Sequence, residues 1–256
     1  MMKKPSSKQY IYGIHAVLGI LQHHPERVIR LYLSKQREDN KLHSLEELAG
    51  ANNISIEWSP KEKLDKLSEW GNHQGALAYC ISMPTYTEKD LEELLPTFST
   101  PLLILVLDAI QDPHNLGACF RSAEAAGAHA IIVPKDKSAG LTPTVSKVAS
   151  GTADIVPFIQ VTNLVRTLNQ LKEQGIWIYG AAGEAKQTLY QADLTHSAAL
   201  VLGQEGMGLR HLTRQHCDQL LSIPQKGTVN SLNVSVAAGI FLFEALRQRG
   251  TNTPKH

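Results

Sequence analysis

The chain of 256 residues is poor in the features that would classify it at once. It has three cysteines, Cys80, Cys119 and Cys217, set far apart with no CxxC pair, which excludes a disulfide framework and a cysteine-based zinc site and points to a reducing compartment. No apolar run approaches the roughly 20 residues of a membrane-spanning helix. The start, MMKKPSSKQYIYGIHAVLGIL, imitates a signal peptide, but Gly13, His15 and two tyrosines interrupt it and no small-residue cleavage site follows, so a soluble cytoplasmic protein is expected. There is no GxGxxG after the first strong strand and no Gly-Lys-Ser/Thr, which removes the dinucleotide fingerprint and the P-loop and leaves a nicotinamide-dependent oxidoreductase without its motif. Eleven histidines invite a metal reading, yet His211 and His216 are five apart and off a common helical face, so no metal site is expected.

Charge is nearly balanced, at a net +1, which argues against a protein that grips nucleic acid by bulk electrostatics. Its distribution is uneven. Residues 1–41 carry eight Lys/Arg against three Asp/Glu, and residues 42–100 carry four against ten. The basic start suits phosphate contacts or a solvated face equally well.

Pattern divides the chain in two. Residues 1–83 alternate short strands (RVIRLYLS, ISIEW, QGALAYCIS) with helical stretches and read as a small α/β unit. The acidic, proline-punctuated segment 84–100 reads as a linker carrying a short helix. Residues 101–256 restart with stronger strands. LLILVLDAI is apolar throughout, as a strand covered on both faces must be, and AIIVPK, IVPFI, IWIYGAAG, ALVLGQEG and LLSIP follow, alternating with helices. This predicts a mostly parallel sheet with helices on both faces and ligands beyond the carboxyl ends of its strands.

Three loops at such ends carry unusual chemistry. In DPHNLGACFRSAEAAG, Asn115 stands where a helix N-cap is expected, and Arg121 leans back over Gly117 towards a helix mouth that already favours an anion. In VLGQEGMGLRHL three glycines suggest a phosphate cradle, but Glu205 at the centre would repel a polyphosphate and suits a cationic or zwitterionic ligand. In IPQKGTVNSLNVSVAAGIFLFEA the stripe Val234, Ala238, Phe241 and Ala245 is ordinary core, whereas Asn230, Ser231, Asn233 and Ser235 supply more polar groups than one cap needs.

PHNLGACFRSAEAAG, LGQEGMG and SLNVSVAAG, in this order, resemble the three motifs of the SpoU-type (TrmH-like) 2'-O-ribose RNA methyltransferases of the SPOUT superfamily. YGIHAVLGIL and HQGALAY resemble the start and end of the L30e-like domain in the branch that modifies a guanosine ribose of 23S rRNA. The resemblance implies an α/β protein with an L30e-like RNA-binding domain over 1–83 and, over 101–256, a SPOUT α/β-knot (trefoil knot) methyltransferase domain, a topology that patterning would not propose. It implies a catalytic set of Asn115, Arg121, Glu205, Ser231 and Asn233, and S-adenosylmethionine held by Gly203, Ile223 and Leu232, with Ala182 and Gly183 of the 181–183 loop nearby. The implied partners are RNA, above all 23S rRNA, and a second copy of the chain, with neither DNA nor membrane. A tRNA substrate and a noncatalytic RNA-binding protein are the alternatives. The family's assignment of Arg121 as general base conflicts with the stubborn protonation of guanidinium groups, so phosphate binding and alkoxide stabilisation are the roles expected here. Glu205 is expected to orient Arg121 or Asn115.

Overall fold

A computed structural model of the chain describes residues 8–36, 40–81, 85–228 and 231–250. The chain divides into two compact units, one of residues 1–84 with 150–155 and one of 85–149 with 156–256.

The first unit contains β1 (Lys8–Tyr12), α1 (Ile14–His23), β2 (Val28–Ser34), α2 (Asn40–Ala51), β3 (Ile56–Ser59), α3 (Lys61–Leu67) and β4 (Ala76–Ile81). Among the described residues its four strands lie in the order β1-β4-β2-β3, antiparallel except for the β2/β3 pair. Helices α1 and α2 bury Val17, Ile20, Leu21, Leu42 and Leu45 against Leu31, Leu33 and Ala78 of the sheet. Arg27 is buried with its guanidinium bonded to Asp154 Oδ1 (2.6 Å) and to the Ile81 carbonyl (2.9 Å), the full pairing that an interior charge requires.

The second unit contains β5 (Tyr86–Thr87), α4 (Glu88–Leu94), β6 (Leu103–Leu107), α5 (Pro113–Ala125), β7 (Ala130–Pro134), α6 (Pro143–Ala149), β8 (Phe158–Val161), α7 (Leu164–Glu173), β9 (Trp177–Ala181), β10 (Gln187–Thr188), β11 (Ala198–Leu202), α8 (His211–Gln215), β12 (Gln219–Ser222) and α9 (Val234–Gly250). Among the described residues its eight strands, all parallel, run in the order β10-β12-β9-β11-β6-β7-β8-β5. Every residue of β6 is buried, because α4 and α7 cover Ile104 and Val106 while Leu103, Leu105 and Leu107 lie on the face where α5 and α9 pack. Helix α7 shows the cause plainly. Asn163 caps it by accepting from Arg166 N–H, and Leu164, Thr167, Leu168 and Leu171 form its buried stripe.

The segment expected as a linker contributes to this sheet. Tyr86 and Thr87 pair with β8, and the Thr87–Asp90 capping box starts α4, whose Leu91 is buried. Strand order also departs from simple winding: β11 lies between β6 and β9, and β12 between β9 and β10.

Candidate active site

Since the strands of the larger sheet are parallel, the loops after β6, β9, β11 and β12 leave one edge, and the chain order reverses at β6 and β11. The loop after β11 is the tightest of them. Gln204 and Gly208 exchange backbone hydrogen bonds (3.1 and 2.8 Å), and Gly206 and Gly208 take φ of +79° and +69°. A Cβ on Gly203 would lie 2.1 Å from the Gly208 carbonyl, so only glycine fits there.

Asp108, directly after β6, ties this loop to the sheet. Its carboxylate is fully buried and accepts from Arg210 N–H (3.0 Å) and Arg210 Nε (2.6 Å). Sequence reading passed over Asp108. The available signal was an acid ending an all-apolar strand, a position where a charge survives only with a partner.

Helix α5 opens differently from expectation. Asp112 is its N-cap, accepting from His114 N–H at 2.8 Å, and Pro113 occupies the first helical position, so Asn115 lies in the first turn without capping duty. Gly117 admits α6: a Cβ there would fall 2.7 Å from Val148 Cβ. That helix contact, not clearance for Arg121, requires the glycine. Arg121 is exposed and has no hydrogen bond or ion pair among the described residues.

At the entrance to α9, Asn233 Oδ1 accepts from Ser235 N–H (2.9 Å) and from the Ser235 hydroxyl (2.6 Å). A backbone N–H can only donate, which fixes the amide's orientation. Asn233 Nδ2 therefore donates to Asn115 Oδ1 (2.9 Å) and to Glu205 Oε2 (3.3 Å). One amide joins three residues from three loops. Glu205, expected to bond Arg121 or Asn115, reaches neither, because Asn233 stands between. Asn230 lies outside the described residues.

Glu205 forms part of the wall of a cavity of about 490 Å³, together with Ala182, Gly183, Gly203, Ile223, Ser231 and Leu232. Leu202, Leu221, Val234 and Phe241 give it an apolar lining, and its charged lining side chains are Glu184 and Glu205, both acidic. The Glu184 backbone N–H and the paired Arg214 hold the Glu184 carboxyl below the usual carboxylate range. An organic ligand with a positive centre fits such a pocket in size and charge, and a polyphosphate does not.

Burial pushes the thiols of Cys80, Cys119 and Cys217 up to about 12, so none supplies a thiolate. Among the described residues no group of His, Cys, Asp or Glu could hold a metal, and no helix is long and apolar enough to cross a membrane.

The model of the SpoU rRNA methylase family matches residues 102–243, and that of RNA 2'-O ribose methyltransferase substrate binding matches residues 10–86. The 23S rRNA (guanosine-2'-O-)-methyltransferase RlmB of Pseudomonas putida is 52% identical over 95% of this chain and 98% of its own. RlmB of Escherichia coli is 52% identical over 94% of this chain and 99% of its own. The crystal structure of the SpoU methyltransferase AviRb from Streptomyces viridochromogenes, in complex with AdoMet, superposes with a TM-score of 0.75 at 23% identity, over 96% of this chain and 92% of that one, which shows a shared fold. With a family model spanning more than half of its length and relatives alike from end to end, the chain belongs to the SpoU rRNA methylase family.

Proposed function

We propose that this chain methylates the ribose 2'-hydroxyl of a guanosine in 23S rRNA, with S-adenosylmethionine as donor. The Asn233 amide, bridging Asn115 and Glu205 at an acidic, apolar-lined pocket, carries the reading. The 23S rRNA guanosine 2'-O-methylation for which relatives 52% identical are named supports it.

When bound, S-adenosylmethionine supplies a methyl group on a positively charged sulfur. Ala182, Gly183, Gly203, Ile223 and Leu232 form the walls that hold it, and Glu205, which meets no cation among the described residues, gives those walls the opposite charge, Glu184 being paired with Arg214. Asn115, with its oxygen occupied by Asn233, presents its NH2 group to a ribose oxygen. Ser231 offers a second hydrogen-bonding group on the pocket wall. A ribose hydroxyl is a weak acid, and its proton must leave as the oxygen attacks in line. Arg121, lacking an internal partner, binds the phosphate beside the target ribose and stabilises the forming alkoxide, while that phosphate or water takes the proton. Only RNA carries the 2'-hydroxyl, so substrate and chemistry agree.

In the same reading residues 1–83 select the RNA, and the larger unit, with residues 85–100 as part of its sheet, carries out the transfer in the cytoplasm. The interleaved β11 and β12 support a trefoil knot in the larger unit. The exposed Val236 and Phe243 of α9 support pairing with a second copy of the chain. Mass-spectrometric mapping of ribose methylation in rRNA and tRNA, with and without the protein, tests the whole. One 23S guanosine should lose its methyl group with the protein absent. Loss confined to tRNA, or no loss, refutes the assignment.

A further inference from the structure

The first unit contains a second polar pocket, and it is built with more strain than a connecting loop needs. Between α3 and β4 the chain places Glu69, Trp70 and Gln74 at φ of +51°, +62° and +53°, three residues other than glycine in a region such side chains rarely enter. Hydrogen bonds hold them there. Trp70 N–H donates to the Asp65 carbonyl (2.7 Å), the Ser68 hydroxyl to the carbonyls of Asp65 (3.1 Å) and Gly71 (3.3 Å), and Ile14 N–H to Gln74 Oε1 (3.1 Å). The buried His73 ring is fixed at both nitrogens: Nδ1 accepts from Gly75 N–H (3.0 Å), which leaves the Nε2 proton for Asp65 Oδ1 (3.0 Å). Strain of this kind is tolerated where the surroundings over-determine it, and it gathers at binding sites.

Trp70 is 77% exposed, and Gly71, the residue after it, lies on the wall of a cavity of about 420 Å³, so the indole stands beside that cavity in sequence without being part of its lining. Gln36, Lys61 and Asn72 line the same cavity, and among the described residues their side chains have no partner. An exposed indole, two free amides and a free ammonium match, in turn, a base's face, its hydrogen-bonding edge and a phosphate. A paired base offers neither face nor edge, so the match is to single-stranded RNA.

We propose that this pocket binds one unpaired nucleotide of the RNA substrate, with the base stacked on Trp70 and read by Asn72 and Gln36 and its phosphate held by Lys61. His73 and Asp65 are positioning residues that keep the loop in its strained form. This rests on the reading that the chain acts on RNA, and it assigns the contact to particular residues of the first unit.

The test uses the full chain, with a short single-stranded RNA, the same RNA annealed to its complement, and S-adenosylmethionine as separate probes in calorimetry. Stacking of one base on an aromatic side chain accounts for about 5- to 150-fold in affinity. Trp70→Ala should weaken single-strand binding by that factor, Trp70→Phe much less, and Asn72→Ala measurably, all with unchanged affinity for S-adenosylmethionine. Trp58→Ala, at an exposed tryptophan on β3, is the control and should bind RNA as the parent does. Equal RNA affinity in Trp70→Ala and the parent overturns the proposal, as does a duplex that binds as tightly as the single strand and is equally weakened by Trp70→Ala. The functional reading fails separately. A chain whose RNA binding depends on Trp70 but which transfers no methyl group keeps this pocket and loses the reaction.

Discussion

Three glycines on the wall of the larger pocket should respond in three different ways to the same added methyl group. At Gly203 an alanine Cβ would sit 2.1 Å from the Gly208 carbonyl and 2.4 Å from Leu209 N, so the returning strand of the loop must retreat by roughly 1.3 Å to reach ordinary contact. The bonds between Gln204 and Gly208 are 3.1 and 2.8 Å, and that retreat takes both beyond hydrogen-bonding range. Two backbone bonds at about 0.5–1.5 kcal/mol each come to about 1–3 kcal/mol, or about 5- to 150-fold in ligand affinity if the open loop cannot close the pocket wall. At Gly206 nothing lies within 4 Å, and the penalty of an alanine is only the strain of φ +79°, about 1 kcal/mol. At Gly183 there is neither a close protein atom nor a positive φ, so Gly183→Ala leaves the backbone of the wall in place and should cost less affinity than Gly203→Ala. Isothermal titration with S-adenosylmethionine measures all three. The reasoning fails if Gly203→Ala binds within twofold of the parent, or if Gly183→Ala loses as much as Gly203→Ala.

Asp108→Asn keeps the shape and an acceptor but removes the charge facing Arg210; because Arg210 is 44% exposed and rehydrates, the cost should be at the low end for a charged hydrogen bond, about 1–2 kcal/mol, seen as a Tm lower by roughly 2–8 °C together with weaker cofactor binding. Unchanged values of both would refute the tie. His129 accepts from Leu103 N–H through Nδ1, and burial holds its pKa below the ordinary 6.5. The neutral ring's contribution is therefore complete above pH 6.5 and is lost as pH falls from there through the lower folded value. His129→Asn retains an acceptor without the titration, so the parent's margin over it should shrink between pH 8 and 5 in denaturant unfolding, and a constant margin would refute this. For Arg121, the alanine variant should reduce the salt slope of RNA binding by about one ion, and the lysine variant should keep that slope but only part of the turnover, since the planar fork is lost. An alanine variant with the parent's slope would remove the phosphate role.

What the sequence shows well is whatever is local and periodic. The apolar run at 102–107 became a strand buried on both faces, and the stripe Val234, Ala238, Phe241 and Ala245 became the buried face of α9. The errors fall where a local signal has two meanings. Pro113 marks the first helical position and so assigns the cap to Asp112, yet Asn115 is an equally good capping residue and drew the assignment. Gly117 reads as open space until α6 is seen to fill it. Prolines at 84, 96 and 101 suggest a connector, but a two-residue edge strand needs only one neighbour, β8, about 70 positions away. The pairing of Asp108 with Arg210 and the bridge from Asn233 to Asn115 join residues more than 100 positions apart. No periodicity encodes such contacts. The resemblance supplied the names Asn115, Glu205 and Asn233, and only the fold shows that the third connects the other two.

The same bridge has a bearing on how the molecule comes into being. Asn233 caps α9 through its oxygen and organises Asn115 and Glu205 through its nitrogen, so the start of that helix and the competent site depend on one side chain. The pocket takes its walls from residues 181–241, whereas Asp108, directly after β6, and Asn115 of α5 lie far upstream. A nascent chain held on the ribosome before residue 231 can therefore display Asn115 yet possess neither the bridge nor a closed pocket. It has no means of methylating the RNA of the machine that is making it.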